Sequence, residues 1–221
     1  MRKSASTLES EIQEDEMTSL LKTLRDKELN GTHLEIGTAA GGTLCILTSF
    51  YLEHSESRPS FMVVDPFNYF PSQFEIVCKN LRSHGMDPQS IEFLKTTSKE
   101  AFSHIKSNPP ELEFILIDGN HKVRHVTQDL RWARFLKPGG ILCAHDYCPS
   151  HPGVYLSIKR FLGKHSNYEI KSCVGSLLIV QKNGISTSNE VSFFDCLRAN
   201  ILAPWFQLKA SFVKRVKKWR Q

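Results

Sequence analysis

Residues 112–147, LEFILIDGNHKVRHVTQDLRWARFLKPGGILCAHDY, constrain the chain more than any other stretch. An apolar run, Phe114 to Ile117, ends on an acid, Asp118. Val123, Val126, Leu130 and Ala133 then recur at helical spacing until Lys137-Pro138-Gly139-Gly140, through which no helix continues. A second apolar run, Ile141 to Ala144, ends on His145-Asp146. Strand, helix and strand in this order make a crossover between parallel strands, so both ionisable clusters fall on one sheet edge. In an open α/β sheet that edge is where ligands bind.

With 221 residues, 40% of them hydrophobic, one α/β domain can bury a sizeable core. The N-terminus, MRKSASTLESEIQEDEM, lacks the apolar centre of a signal peptide, and no run approaches the roughly 18 apolar residues of a spanning helix. The expected location is therefore cytoplasmic. Cys45, Cys78, Cys143, Cys148, Cys173 and Cys196 lie in apolar contexts without C-x-x-C spacing. They are expected to be packed, reduced thiols rather than disulfides or zinc ligands. The net charge of +5 resides in the tail: seven basic and two acidic residues follow from Glu190 onward, leaving 21 of each elsewhere. A neutral body argues against a nucleic-acid partner.

Upstream, Leu8, Ile12, Leu20, Leu21 and Leu24 among charges predict amphipathic helix over 8–29, closed by Asn30-Gly31. His33–Ile36 reads as a strand, followed by Glu35-x-Gly37-x-x-x-Gly41 and a helix over Thr43–Leu52. Glycines between a strand and a helix N-terminus permit a tight turn and close approach of a ligand, and they equally suit a plain turn. Phe61–Val64 is a second strand ending on Asp65, placed to accept from ribose hydroxyls or to cap the turn at Pro66. A helix over Pro71–His84, a strand over Ile91–Leu94 and a helix over Lys99–Lys106 follow. Ser98 either caps that helix or touches an adenine. Beyond the central unit come a helix over Val154–Leu162 and strands over Tyr168–Ser172 and Ser176–Gln181, joined as an antiparallel hairpin. The expected fold is a Rossmann-like, seven-stranded, mostly parallel sheet with a C-terminal antiparallel hairpin and helices on both faces.

Together, E-x-G-x-x-x-G, the acid at Asp65, I-D-G-x-H, V-x-x-D, L-K-P-G-G and H-D-Y resemble the class I S-adenosylmethionine-dependent methyltransferases. Within them the chain looks like the bacterial small-molecule O-methyltransferases related to macrolide-sugar and cephalosporin-hydroxylase-type enzymes. The resemblance spans roughly residues 30–182. It implies that Glu35, Gly37 and Gly41 hold the methionine part of S-adenosylmethionine, that Asp65 binds its ribose and that Ser98 contacts its adenine. It further implies that Asp118 serves cofactor binding, catalysis and metal ligation. His145 and Asp146 complete a site for Mg²⁺ or Mn²⁺, and His121 is the basic catalytic residue. His145 is a departure, because an acid is more usual there.

The chemistry agrees with that assignment. Methyl transfer from a sulfonium is an in-line displacement, for which alignment matters most. A divalent ion and a neighbouring His together would activate an alcohol. Mixed carboxylate and imidazole donors tilt preference from Mg²⁺ toward Mn²⁺, Fe²⁺ or Zn²⁺. His121, His125 and Asp129, four apart, would share one helix face, either as a polar network behind the site or, the favoured expectation, as an exposed polar stripe. Trp132 and Phe135 are expected to be core. The competing expectations are a nicotinamide-dependent oxidoreductase, which the loop spacing disfavours, and a non-catalytic cofactor-binding scaffold. The acceptor is expected to be a small molecule or sugar.

Three segments are expected: a helical one over 1–30, the methyltransferase domain over 31–182, and a linker with a basic helix over 183–221. In the last, Trp205, Leu208, Phe212, Val216 and Trp219 alternate with Lys209, Lys214, Arg215, Lys217, Lys218 and Arg220. That composition suits peripheral contact with the inner face of a membrane. The apolar stripe would equally serve docking on the domain or a homo-oligomer.

Overall fold

The structure is a computed structural model and describes residues 10–54, 58–185 and 190–204. Four short runs, β1 (Thr32–Ile36), β2 (Phe61–Val64), β4 (Leu112–Ile117) and β5 (Leu136–Ala144), are almost wholly buried along their apolar stretches. Continuous apolar strands of this kind belong to parallel sheets covered on both faces. With β3 (Ile91–Leu94) they pair in parallel, and β7 (Leu177–Lys182) joins β5 antiparallel and pairs with β6 (Tyr168–Val174) at the edge. The order is β3-β2-β1-β4-β5-β7-β6, so the winding reverses between β1 and β4. Such a reversal opens a crevice at the carboxyl ends of those two strands.

Alternation along the strands splits the core in two. Leu34, Ile36, Met62, Val64, Ile115 and Ile117 pack under α4 (Ser98–Ile105), α5 (Val123–Asp129) and α6 (Pro152–Lys164). Phe61, Val63, Phe114, Leu116 and Ile141 face α1 (Glu14–Lys27), α2 (Gly42–His54) and α3 (Gln73–Ser83). Within α1, Leu20 and Leu24 provide the apolar face, and the helix ends at a left-handed Glu28, ahead of Asn30-Gly31.

Several expectations need correction. The helix from Val123 ends at Asp129 and tightens into a 3-10 turn over Leu130–Phe135. Strand β5 begins at Leu136 rather than Ile141, because Leu136 pairs with Leu112 across a register shift. Pro138 and a Gly139 at φ +87 are accommodated inside that extended run. Lys182, which the sequence also suggests as the first residue of a polar run to Asn189, instead ends β7, is 3% exposed, and donates to Ala133 O and Glu190 Oε1, each at 2.9 Å. Residues 193–204 are helical, and Ala199 and Ala203 pack on Val123. Among the cysteines only Cys45, Cys78 and Cys143 are buried, whereas Cys173 is exposed at the sheet edge. The tail residues Trp205 to Arg220, like Leu8, lie outside the described residues. Among the described residues no helix is long and apolar enough to cross a membrane.

Candidate active site

The loop after β1 forms one wall of the crevice. Gly37 and Gly41 both take φ +84, and Ala39 is also left-handed at φ 44. A Cβ on Gly37 would come within 2.5 Å of Asp118 O, so only glycine lets this loop lie against the end of β4. Asp65 fixes the loop from the β2 side, accepting from Thr38 N at 3.0 Å and Phe67 N at 2.6 Å. Gln73 of α3 donates to Ala39 O at 3.0 Å and Asp65 Oδ1 at 3.3 Å, and Asn80 donates to Ala40 O at 2.8 Å. Burial raises the Asp65 pKa against the hydrogen bonds it accepts. Burial, with the charges of Asp118 and Asp65, pushes Glu35 up to about 8 even though Thr38 Oγ1 donates to it at 3.0 Å. Near neutral pH Glu35 therefore carries a proton it can offer as a donor.

The opposite wall is ionic. Asp118 directly follows β4, and His145-Asp146 directly follow β5, with Asp146 in the left-handed region at φ 57. His145 Nδ1 lies 3.1 Å from Asp118 Oδ1 and 3.7 Å from Asp146 Oδ2. Its Nε2 lies 3.4 Å from Glu16 Oε2, a buried acid delivered by α1. Burial opposes a charge on His145, but Asp118, Asp146 and Glu16 outweigh it and raise the pKa to about 9. Glu16 is itself anchored by Ser176, whose N and Oγ donate to Oε1 at 2.5 and 3.0 Å, and by Gln13 N at 2.9 Å. Burial alone would raise its pKa, yet these donors and His145 lower it.

His121 precedes α5 and places Nε2 at 2.9 Å from Asp146 Oδ2, with its side chain 42% exposed. That hydrogen bond raises its pKa against the effect of burial. Asp146 moves the other way: burial raises its pKa, but the three histidines around it bring it down. The third is His151, whose Nδ1 is 3.3 Å from Asp146 Oδ1. His121, His125 and Asp129 share no exposed stripe. His121 lies outside the helix, and Asp129 is buried with its pKa raised to about 7 by desolvation while Ser98 hydrogen-bonds it. Ser98 is thereby engaged on the interior side, accepting from Trp132 Nε1 at 3.0 Å. Trp132 is fully buried core.

Glu35, Gly37, Gly41, Asp65, Asp118, His121, His145 and Asp146 thus gather at the carboxyl edge, and Ser98 starts α4 beyond β3 on the same side. Sequence reasoning did not single out Glu16, Gln73, Asn80 and His151. Nothing local marks them, since each reaches the site only through tertiary packing. An open depression lined by Thr32, Ser60, Met62 and Glu92 lies at the opposite, amino-terminal edge, away from these groups.

Residues 34–147, more than half of the chain and the span holding every candidate ligand from Glu35 to Asp146, match the family described as "Methyltransferase domain". The chain belongs to this family and is an S-adenosylmethionine-dependent methyltransferase of the class I, Rossmann-like type. The nicotinamide reading falls with that result. No curated protein matches the chain. Among solved structures, CalS11, a TDP-rhamnose 3'-O-methyltransferase of calicheamicin biosynthesis, is 18% identical with a TM-score of 0.59, covering 77% of this chain and 81% of that one. The O-methyltransferase NovP is 17% identical with a TM-score of 0.62, covering 76% and 78%. An O-methyltransferase from Bacillus cereus in complex with SAH is 14% identical with a TM-score of 0.61, covering 78% and 83%. At these identities the likeness is one of fold.

Proposed function

We propose that the protein transfers a methyl group from S-adenosylmethionine to a hydroxyl of a small molecule or sugar, with a divalent cation held by Asp118, His145 and Asp146. The observation that carries this reading is the donor set itself. Two carboxylate oxygens and one imidazole nitrogen lie within 4.8 Å of one another at adjacent strand ends. The buried Glu16 beside Nε2 fits the group further, since it can keep the proton there and leave Nδ1 as a lone pair among the ligands. Fold neighbours named for O-methylation, one of them of a sugar nucleotide, support the acceptor class.

Held by Asp118, His145 and Asp146, a divalent cation would act as a Lewis acid and lower the acceptor hydroxyl's pKa. S-adenosylmethionine supplies a methyl on a sulfonium. The chain's own residues do the rest. Gly37 and Gly41 let the backbone approach the methionine part, and Asp65, with three donors already bound, keeps about one lone pair for a ribose hydroxyl. His121 would take the acceptor's proton at Nδ1, while its Nε2–H donates to Asp146, whose carboxylate stabilises the resulting imidazolium. The polar edge is set in a cytoplasmic enzyme on this reading.

Methyl transfer to hydroxylated acceptors, followed as S-adenosylhomocysteine release, should fall on chelation and return with Mg²⁺ or Mn²⁺. His121→Ala should lower kcat by roughly 10²–10⁴ while leaving donor affinity near the parent's. Full turnover after exhaustive chelation would reassign Asp118 and Asp146 to acceptor orientation.

A further inference from the structure

The helical segment 193–204 turns Ala199 and Ala203 onto Val123 and leaves its other side bare. Phe193, Phe194, Leu197 and Ile201 are 76%, 75%, 43% and 69% exposed. They are half of the large exposed apolar side chains among the described residues, gathered on one helix. The i, i+4, i+8 spacing of Phe193, Leu197 and Ile201 sets them in one stripe, with Phe194 at its start.

This stripe is held out firmly. Ser192 N and Oγ both donate to Asp195 Oδ2, and Asp195 N donates to Ser192 Oγ, closing the helix start. Lys164 of α6 binds both Asp195 oxygens at 2.7 and 2.6 Å, cancelling the acid's charge. Just upstream, the buried Glu190–Lys182 pair ties the segment to β7. Arg198 is exposed on the same helix, near enough to Arg160 of α6 for its charge to add to burial in lowering that arginine's pKa. The next 17 residues, 205–221, contain six basic residues, two tryptophans and no acid.

We propose that this ridge is a docking surface for an anionic phospholipid bilayer, whose charge the basic composition of the sequence after it complements. Apolar side chains enter the acyl boundary while Lys and Arg meet headgroup phosphates. A second copy of the chain fits less well, because an isologous contact through the ridge would crowd two strongly basic tails together. Val123 lies two residues beyond His121, so docking would set the carboxyl edge of the sheet beside the bilayer. The proposal goes beyond methyl transfer and does not depend on it.

The test is co-sedimentation of the full chain with vesicles of phosphatidylcholine alone or with phosphatidylglycerol. Binding is expected only with phosphatidylglycerol. It should fall by about fivefold for each basic residue neutralised near the surface. It should also weaken sharply between ~0.05 and ~0.5 M NaCl as screening shortens. The double variant F193S/F194S, altered only at exposed positions, should lose about tenfold or more in partitioning. Its S-adenosylmethionine affinity by calorimetry should match the parent's, which separates loss of docking from loss of fold. No sedimentation with anionic vesicles at low salt would overturn the proposal, as would equal sedimentation of F193S/F194S. A parent dimer that this variant converts to monomer would also overturn it and give the ridge to a second copy.

Discussion

Glu16 Oε2 lies 3.4 Å from His145 Nε2, while the other nitrogen of the same ring lies 3.1 Å from Asp118 Oδ1. An acid near the start of the first helix therefore orients an imidazole at the end of the fifth strand. A carboxylate behind a metal-ligating histidine fixes its tautomer, and losing such a partner typically costs about 10–100-fold in metal affinity. Glu16→Gln is expected to weaken Mn²⁺ binding by that factor in a calorimetric titration, with S-adenosylmethionine affinity unchanged. Unaltered Mn²⁺ affinity would reduce Glu16 to an anchor between α1 and Ser176.

Asp129 gives a pH dependence of defined sign. Its carboxyl titrates at about 7 in the folded protein, raised by burial, against about 4 in an unfolded chain. Between those values the folded state keeps a proton the unfolded state has lost, so this group lowers stability as pH rises from 4 to 7, and the loss levels off above. Asp129→Asn should exceed the parent in melting temperature at pH 8, and the gap should close toward pH 4. A gap independent of pH would show that Asp129 is not the titrating group.

The inner strands were legible because burial on both faces demands uninterrupted apolar runs, and β2 begins and ends where its run does. β3, an edge strand with Glu92 exposed, showed instead through its β-forming residues between turn signals. Acids standing directly after such runs were legible for the same reason: Asp65 and Asp118 interrupt the pattern at the point where the chain leaves the sheet. The start of β5 was not, since Pro138-Gly139-Gly140 carries the signature of a turn and is kept extended by tertiary pairing, Leu136 with Leu112 and Gly139 O with Gln181 Nε2. The stripe through His121, His125 and Asp129 failed because helical spacing was counted from a residue outside the helix. Glu16 and His151 carried no signal. Glu16 is an acid in a helix's first turn, as in many helices, and its approach to His145 depends on α1 packing against the sheet.

The ion pair of Lys182 and Glu190 is buried on both sides, with side-chain exposures of 3% and 0%. Removing one member of such a pair strands the other and typically costs about 3–5 kcal/mol. Glu190→Ala is expected to lower unfolding free energy by that order in a denaturant titration. It should also speed proteolysis within 183–204, since the segment loses its tether. A cost below about 1 kcal/mol would show that other contacts hold 190–204 in place.

Donor binding tests the account most directly. Asp65 follows β2 and holds the glycine loop through Thr38 N. Phe67 N and Gln73 Nε2 also donate to it, so of a carboxylate's roughly four acceptor sites about one is left for a ribose hydroxyl on the proposed reading. Each hydrogen bond to such an acid is worth about 1.5–3 kcal/mol. Calorimetric titration with S-adenosylmethionine should show one site per chain in the wild type, weakened at least about tenfold in Asp65→Ala. Absence of binding to the wild type at high micromolar donor would contradict the account at its root, and equal affinity in the variant would remove Asp65 from the site.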